Sequence, residues 1–297
     1  MFPDDLIVDA WLDRALAEDL GWGDITTAAI VDPDQQGWGI IASKEPGVLA
    51  GIELARRVFT RLDPQAEFRE CRRDGDKLAA GDCIVQVRAR IRALLSGERV
   101  ALNCLQRLSG IATATARCVQ QLEGLPVRIV DTRKTTPGLR ALEKYAVRVG
   151  GGWNHRFGLH DMVLIKDNHI KAAGGIREAV ARVKNQVSPM IKIEVEVETL
   201  EQLRETLAAG VDIVMLDNMD CASMAQAVEL AAGRVLLEAS GGVTEDRLRA
   251  IAQTGVNLIS IGALTHSVRA LDISLDLFQA KPSAGTVQAC GLNNPVV

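Results

Sequence analysis

Three of the four histidines lie in one short stretch that is rich in basic residues. Residues 150–171, GGGWNHRFGLHDMVLIKDNHIK, contain His155, His160 and His169 among Arg156, Lys166 and Lys171. Such a stretch could bind a metal ion, supply general bases or hold an anionic ligand. The histidine spacing matches no HExxH or zinc-finger pattern, no cysteine is near, and the neighbouring cations would repel Zn²⁺. We therefore expect an anion here rather than a histidine-bound metal.

The positive charge is local. Residues 131–171 carry eight lysines and arginines against four acids, whereas the whole chain has a net charge of -4. A general nucleic-acid-binding protein is therefore not expected, because such domains carry a basic surface over a whole face. We predict functional roles for Arg133, Lys134, Arg156 and Lys166. For Arg140, Lys144 and Arg148, surface helix charges are an equally good interpretation.

From residue 127 onward the sequence repeats a pattern of strand, loop and helix. These elements must position the cations. The predicted strands are VRIVDT, MVLIKD, IKIEVEVE, DIVMLDN, VLLEASG and LISIGA. Their nearly continuous apolar character is typical of parallel strands covered by helices. A (β/α) barrel is favoured, and an open doubly wound sheet remains the alternative because both share this unit.

An internal repeat supports this architecture. TLEQLRETLAAGVDIVMLDN and TEDRLRAIAQTGVNLISIGA align without a gap, matching Thr199 with Thr244 and Gly210 with Gly255. Each copy is predicted to be a helix with a threonine N-cap and a terminal glycine that leads directly into a strand.

In a barrel, the active residues follow the carboxyl ends of the strands. This rule selects Thr132, Arg133, Lys134, Lys166, Asp167, Asn168, Glu196, Glu198, Asp217, Asn218, Ser240, Gly241, Gly242, Gly262 and Ala263. The turns SGG and IGA follow the last two strands, where barrels commonly bind phosphate through backbone N–H groups.

The strand IKIEVEVE alternates apolar and charged residues. Its isoleucines and valines would pack under helices, and Lys192, Glu194, Glu196 and Glu198 would then face the barrel interior. Unpaired charges there are costly, so we expect cationic partners or a metal. A surface edge strand with one solvated face is the alternative.

The first hundred or so residues predict a different architecture. WLDRALAEDLG reads as a helix that stops at Gly21, and GWGIIASKEPGVLAG and DGDKLAAGDCIVQVRARIRALLSGE read as short strands of a small β layer. One long helix, or two in succession, starts near SGERVALN. Six scattered cysteines without a CxxC pair favour reduced thiols in a cytosolic protein, and neither a signal peptide nor a membrane span is expected.

Several motifs together resemble the quinolinate phosphoribosyltransferase family. They are EDLGWGDITT, SGERVALNCLQRLSGIAT, DTRKTTPGLRALEKYAVRVGGGWNHRFGLHDMVLIKDNHI, EVEVET, VMLDN, EASGGV and IGALTHSVRALDISLD, in this order over nearly the whole chain. The resemblance implies an N-terminal α/β sandwich domain, 1–112 completed by 271–297, and an incomplete barrel of about seven strands, 113–270. It also implies a cytoplasmic homodimer that joins quinolinate to phosphoribosyl pyrophosphate with Mg²⁺, releasing CO₂ and pyrophosphate in NAD synthesis.

The same resemblance implies roles for individual residues. For quinolinate they are Arg133, His155, Arg156 and Lys166, with Arg99 supplied by the neighbouring subunit. For phosphoribosyl pyrophosphate they are Thr132, Lys134, Glu196, Asp217, Ser240, Gly241, Gly242, Ile261, Gly262 and Ala263. Lys134, Glu196 and Asp217 would be catalytic, and the two acids would hold Mg²⁺ directly or through the substrate. His160 and His169 are expected to have structural roles.

Two other interpretations differ in function. A pyrophosphorylase-like protein associated with molybdenum transport would share the barrel without needing quinolinate. A ligand-binding sensor would keep the anion site without turnover, but it would have little use for Lys134, Glu196 and Asp217 together. No nucleic-acid or membrane partner is expected.

Overall fold

The computed structural model describes residues 2–282, which form two compact units. The first comprises the described parts of Met1–Ala114, Thr136–Gly150 and Val268–Val297, and the second comprises Thr115–Thr135 and Gly151–Ser267. This division differs from the sequence-based boundaries mainly because Thr136–Gly150 lies with the first unit. The end of the predicted 271–297 tail, from residue 283 onward, is outside the described residues.

Helices and strands alternate along most of the described chain. The helices are α1 Asp5–Leu20, α2 Ile25–Ile30, α3 Ile52–Leu62, α4 Ile91–Gln121, α5 Arg140–Val149, α6 Asp167–Ala173, α7 Ile176–Gln186, α8 Leu200–Ala209, α9 Cys221–Ala231, α10 Leu248–Gln253 and α11 Ala263–His266. The strands are β1 Gln36–Ser43, β2 Gly47–Val48, β3 Glu67–Glu70, β4 Lys77–Leu78, β5 Cys83–Arg90, β6 Arg128–Val130, β7 Val163–Ile165, β8 Ile193–Val197, β9 Ile213–Asp217, β10 Leu236–Ser240, β11 Leu258–Ser260 and β12 Ile273–Phe278.

The first unit contains the predicted small β layer. Its four-stranded antiparallel sheet has the order β12, β1, β5, β3, so a strand from near the end of the chain pairs with β1. Helix α3 contributes a buried apolar face that includes Leu54, Val58 and Phe59. Helix α1 ends at Leu20 with Gly21 as its C-cap, as predicted.

Helix α4 is one continuous helix of 31 residues, which settles the choice between one helix and two. The prediction of strand for IRALLSGE was wrong, because α4 already begins at Ile91. Short apolar runs do not distinguish strand from helix. The buried residues Ile91 and Leu94 are three positions apart, and buried Leu102, Leu105 and Leu108 follow on the same helix.

Helix α5 belongs to the first unit and carries three of the basic residues from the cation-rich segment. Arg148 is exposed at its end, as a surface helix charge would be. Lys144 is only 3% exposed, so the surface interpretation is wrong for this lysine. The adjacent Glu143 is fully buried, and its carboxylate accepts a hydrogen bond of 2.8 Å from Arg107.

The second unit is a six-stranded parallel sheet in the order β6, β11, β10, β9, β8, β7. All six predicted strands are confirmed. Within residues 2–282, the strands follow chain order around a ring that is left open between β6 and β7, as in an incomplete barrel. A doubly wound sheet would instead reverse its strand order in the middle, so that alternative is wrong. About seven strands were expected, and the described sheet has six. An isolated parallel bridge joins Val130 of β6 to Trp153.

The two copies of the internal repeat begin differently. Thr199 caps α8 in a reciprocal capping box with Gln202, as predicted. The prediction of a matching cap at Thr244 was wrong: a short 3-10 turn, Glu245–Arg247, comes first, and the Thr244 side chain bonds to Asp246 instead. Between residues 2 and 282, no helix combines the length and apolarity needed to cross a membrane.

The described cysteines are free thiols. Cys83, Cys104 and Cys118 are buried, Cys71 and Cys221 are half-buried, and Cys290 lies outside the described residues. This agrees with the expectation of reduced, mostly buried thiols. The sulfur atoms of Cys71 and Cys83 lie 3.3 Å apart in the first unit.

Candidate active site

A cavity of about 640 Å³ opens at the carboxyl ends of the parallel strands in the second unit. It is lined by Thr132, Arg133, Lys134, His155, Arg156, Leu164, Lys166, Glu196, Met215, Asp217, Asn218, Glu238, Ser240, Gly241, Gly242 and Ser260. Eleven of these were selected from the sequence as substrate-binding or catalytic residues. Apart from His155 and Arg156, all of them had also been selected by the strand-end rule, so this rule identified residues that are distant in sequence but line one cavity.

Some predicted residues lie elsewhere. Arg99 is on α4 in the first unit, and Ile261, Gly262 and Ala263 are beside the cavity rather than on its lining. The turn they form supports Lys134: a Cβ on Gly262 would lie 2.9 Å from Lys134 Cδ, and the Thr265 hydroxyl donates to the Lys134 carbonyl over 2.7 Å.

Three strand-end residues also lie off the cavity lining. Asp167 pairs with Lys171 on α6 over 3.0 Å, and Asn168 is on the same helix. Glu198, just beyond β8, is exposed, and its backbone N–H donates to Gln202. These residues hold local structure at the strand ends.

Strand β8 runs between β7 and β9, so the edge-strand interpretation of IKIEVEVE is wrong. One of its inward acids, Glu196, pairs with a lysine. Lys166 Nζ lies 2.7 Å from Glu196 Oε2, and the Lys166 side chain is 45% exposed. The Glu196 side chain is 12% exposed, so the lysine is the more accessible partner of this pair for a ligand in the cavity.

Buried Asp131, directly after β6, fixes the loop that carries His155 and Arg156. One carboxylate oxygen accepts from the His155 backbone N–H over 2.9 Å, and the other accepts from the Asn154 amide over 2.6 Å. Arg156 then donates to the Met162 carbonyl over 3.3 Å. Burial and the charge of nearby Arg133 lower the pKa of Arg156, so two positive charges lie close together at this wall.

His155 lies between two fully buried glutamates. Its Nε2 atom is 3.1 Å from Glu194 and 3.3 Å from Glu238. Burial lowers the pKa of His155, whereas hydrogen bonds and charge from the two carboxylates raise it and outweigh the burial. Burial raises the pKa of Glu194. The Arg156 N–H, 2.7 Å from Nδ1, opposes protonation of that nitrogen because it requires a lone pair there.

The same three side chains have the donor types of a divalent-cation site. Their ligand atoms all lie within 4.8 Å of one another, a grouping that the histidine spacing did not reveal. The positive charges of Arg133 and Arg156 nearby weigh against a cation at this position.

Gly241 and Gly242 form a left-handed turn after β10, with φ of 87° and 55°. A Cβ on Gly241 would lie 2.9 Å from the backbone nitrogen of Asn218, so only glycine fits there. The Asn218 amide also donates to Asp217 over 2.9 Å, which fixes that carboxylate at the cavity wall. Consecutive turn N–H groups of this kind favour a phosphate.

The other two histidines lie off the cavity lining, where structural roles were expected. His169 Nδ1 accepts from the Lys166 N–H over 2.9 Å and so caps α6. The His160 ring packs on Gly158, where a Cβ would lie 2.7 Å from it.

Sequence reasoning missed Glu238, Leu164, Met215 and Ser260 on the cavity lining. A signal for Glu238 was present, because it lies two residues before Ser240 on β10 and strand side chains repeat their direction every two residues. The lone acid in an apolar strand indicated a buried, paired carboxylate.

Known proteins resemble this chain over almost its full length. The family model for the quinolinate phosphoribosyl transferase N-terminal domain matches residues 24–109, and the model for the C-terminal domain of the same family matches 111–276. A Bacillus subtilis protein named probable nicotinate-nucleotide pyrophosphorylase [carboxylating] is 46% identical, covering 95% of this chain and 97% of its own.

A plant relative and a solved structure agree. Quinolinate phosphoribosyltransferase [decarboxylating] 2b of Nicotiana tabacum is 44% identical, covering 89% of this chain and 80% of its own. The crystal structure of NadC from Streptococcus pyogenes superposes with a TM-score of 0.90 at 44% identity, covering 93% of this chain and 98% of that one. This chain belongs to the quinolinate phosphoribosyltransferase family.

Proposed function

We propose that this chain transfers the phosphoribosyl group of phosphoribosyl pyrophosphate to quinolinate and releases CO₂. The products are nicotinate mononucleotide and pyrophosphate, used in NAD synthesis. The observation that carries the proposal is one cavity in which Arg133, Arg156 and Lys166 lie together with Lys134 and the Gly241 turn. The names of the relatives support the same reaction.

The cationic group of Arg133, Arg156 and Lys166 suits a small dicarboxylate. An arginine fork pairs with a carboxylate through two parallel charge-assisted bonds, each worth about 1.5–3 kcal/mol. Two arginines and a lysine can therefore hold both carboxylates of quinolinate in one orientation. Binding would also offset the two effects that lower the pKa of Arg156, which are its burial and then the charge of Arg133.

The remaining wall suits phosphoribosyl pyrophosphate. The 5′-phosphate would bind the N–H groups of Ser240, Gly241 and Gly242, with the adjoining turn of Ile261, Gly262 and Ala263 completing the cradle. Thr132 and Lys134 would contact the pyrophosphate. Glu196 and Asp217 would lie near the ribose hydroxyls.

Glu196 and Asp217 also fit Mg²⁺, because both offer carboxylate oxygens at the cavity lining. Mg²⁺ is commonly held by one or two carboxylates together with substrate phosphates. The two acids would hold it directly or through the pyrophosphate, and bound Mg²⁺ would neutralise charge on that leaving group. Lys134 adds a fixed positive charge at the same end of the substrate.

In the reaction, the ribose C1–O bond to pyrophosphate breaks and the quinolinate ring nitrogen bonds to C1. Lys134 stabilises the departing pyrophosphate, while Glu196 and Asp217 favour the positive charge that develops on the sugar. The ring nitrogen is then cationic and stabilises the electron pair left on the adjacent ring carbon when its carboxylate departs as CO₂, and that carbon takes up a proton from solvent to give nicotinate mononucleotide. Arg133 and Arg156 hold the ring in place throughout.

We further propose that the protein acts as a cytoplasmic homodimer in which Arg99 of one subunit completes the neighbouring site. Homodimers with two-fold symmetry exchange such residues reciprocally. Arg99 lies on α4 in the first unit and is absent from the lining of the cavity described above, which is built entirely by the second unit.

Mixing two inactive variants tests this arrangement. Arg99→Ala and Lys134→Ala should each be nearly inactive alone. After subunit exchange, each mixed dimer has one site that combines intact Lys134 with intact Arg99. Activity should therefore recover to about a quarter of the wild-type value, since half of the dimers are mixed and each has one good site.

The control is Lys171→Ala mixed with Lys134→Ala, because Lys171 pairs only locally with Asp167. Lys171→Ala should be active before mixing. No recovery in the Arg99 mixture, with mixed dimers demonstrated by mass spectrometry, would rule out Arg99 exchange.

A further inference from the structure

Two buried acids on the barrel strands have no place in the reaction as described. Glu194 on β8 and Glu238 on β10 both have 0% exposure, and β9 lies between their strands. We propose that Glu194 and Glu238 are positioning residues that hold the His155 ring, which in turn fixes Arg156 for the substrate. On this view His155 does not bind quinolinate through a ring nitrogen. The inference rests on the proposed binding of quinolinate in this cavity.

Both ring nitrogens of His155 already face protein groups. Nδ1 accepts the Arg156 backbone N–H over 2.7 Å, and Nε2 faces the two carboxylates at 3.1 and 3.3 Å. An imidazole has only these two polar atoms. A substrate carboxylate at Nε2 would also meet two glutamates of its own charge.

The two glutamates depend on His155. Within residues 2–282, their four carboxylate oxygens make no hydrogen bond of normal geometry, and the ion contacts to Nε2 are their close polar contacts. An unpaired buried carboxylate is costly. The two acids therefore attract the imidazole and hold its Nε2 atom against strands β8 and β10.

The imidazole in turn fixes the peptide groups on both sides of it. The His155 N–H donates to Asp131, and the Arg156 N–H donates to the ring, so the backbone leading into Arg156 is held at two successive nitrogens. The Arg156 guanidinium is then oriented by its hydrogen bond to the Met162 carbonyl. The path from the strands to the substrate runs from the glutamates through His155 to Arg156.

A double-mutant cycle between His155 and Arg156 tests this path, with quinolinate affinity measured by calorimetry. His155→Ala in the wild-type background should weaken quinolinate binding about tenfold to a hundredfold, because a misplaced binding group loses that much. In the Arg156→Ala background, His155→Ala should have almost no further effect. Equal losses in the two backgrounds would overturn the proposal, since they would mean that His155 contacts the substrate independently.

The glutamates are tested by Glu194→Gln with Glu238→Gln, which keeps their shape and removes their charge. The double variant should weaken quinolinate binding by a similar factor and leave phosphoribosyl pyrophosphate binding within about twofold, which also shows that the barrel is folded. Glu201→Gln, an exposed acid on α8, is the matched control and should change neither. Unchanged quinolinate affinity in the double variant would overturn the proposal; if that variant does not fold, the His155 cycle decides.

The alternative is that His155, Glu194 and Glu238 bind a divalent cation. Titrating the wild-type protein with Zn²⁺ distinguishes this alternative from the positioning role. A stoichiometric Zn²⁺ site that is lost in Glu238→Gln and required for quinolinate binding would overturn the positioning role. No quinolinate binding by the wild-type protein would instead contradict the proposed function itself.

Discussion

Lys134→Ala should lower kcat by about a hundredfold to a thousandfold, the usual effect of removing one charge-stabilising group from an active site. The Lys134 backbone is fixed on both sides: its N–H donates to Thr132 over 3.0 Å, and its carbonyl accepts from Thr265 over 2.7 Å. The side chain lies along Gly262 and is exposed at the cavity. Truncation therefore removes the amine while leaving the local backbone bonds in place.

The measurement is single-turnover formation of nicotinate mononucleotide with both substrates saturating. Quinolinate affinity should change little, because Lys134 serves the leaving group rather than the pyridine ring. Lys171→Ala, from the same cation-rich segment, should behave as wild type. A Lys134→Ala protein with a near-normal rate would reject the role of Lys134 in the reaction.

Arg156→Lys should raise the dissociation constant of quinolinate by about tenfold to a hundredfold, although the charge is kept. Lysine cannot form the two parallel bonds of the guanidinium fork, and a lost charge-assisted bond is worth about 1.5–3 kcal/mol. Lysine would also lose the 3.3 Å hydrogen bond that the Arg156 guanidinium donates to the Met162 carbonyl. Its ammonium group would therefore be held less firmly in position.

Calorimetric titration with quinolinate and, separately, with phosphoribosyl pyrophosphate measures this selectivity. The affinity for quinolinate should fall, and the affinity for phosphoribosyl pyrophosphate should not change. Arg148→Lys is the matched control, because Arg148 is an exposed arginine on α5 in the first unit. Equal quinolinate affinity in Arg156→Lys and wild type would show that no bidentate pair forms at this position.

The barrel was largely predictable because its strands are short apolar runs with polar residues at their carboxyl ends. The rule that active residues follow these ends selected Lys166, Glu196 and Asp217 correctly as cavity residues. The choice between a barrel and a doubly wound sheet was not predictable from the strands, because both folds use the same unit. The strand order distinguishes them, because β7 to β11 pair in chain order without a reversal and β6 pairs with β11.

The His155 cluster could not be predicted because it depends on register between distant segments. Glu194 and Glu238 meet at one imidazole only because β8 and β10 both flank β9 with matching inward faces. A shift of one residue in either strand would turn its acid to the other face. Likewise, the difference between the Thr199 and Thr244 caps depends on which neighbour each hydroxyl bonds, which sequence similarity does not specify.

The central claim is that this cavity couples phosphoribosyl transfer to loss of one quinolinate carboxylate. The most direct measurement incubates the protein with phosphoribosyl pyrophosphate, Mg²⁺ and quinolinate labelled in the carboxylate next to the ring nitrogen. Labelled CO₂, pyrophosphate and nicotinate mononucleotide should appear in equal amounts, and only when both substrates are present. Folded protein that binds both substrates but releases no CO₂, or releases pyrophosphate without CO₂, would contradict the account.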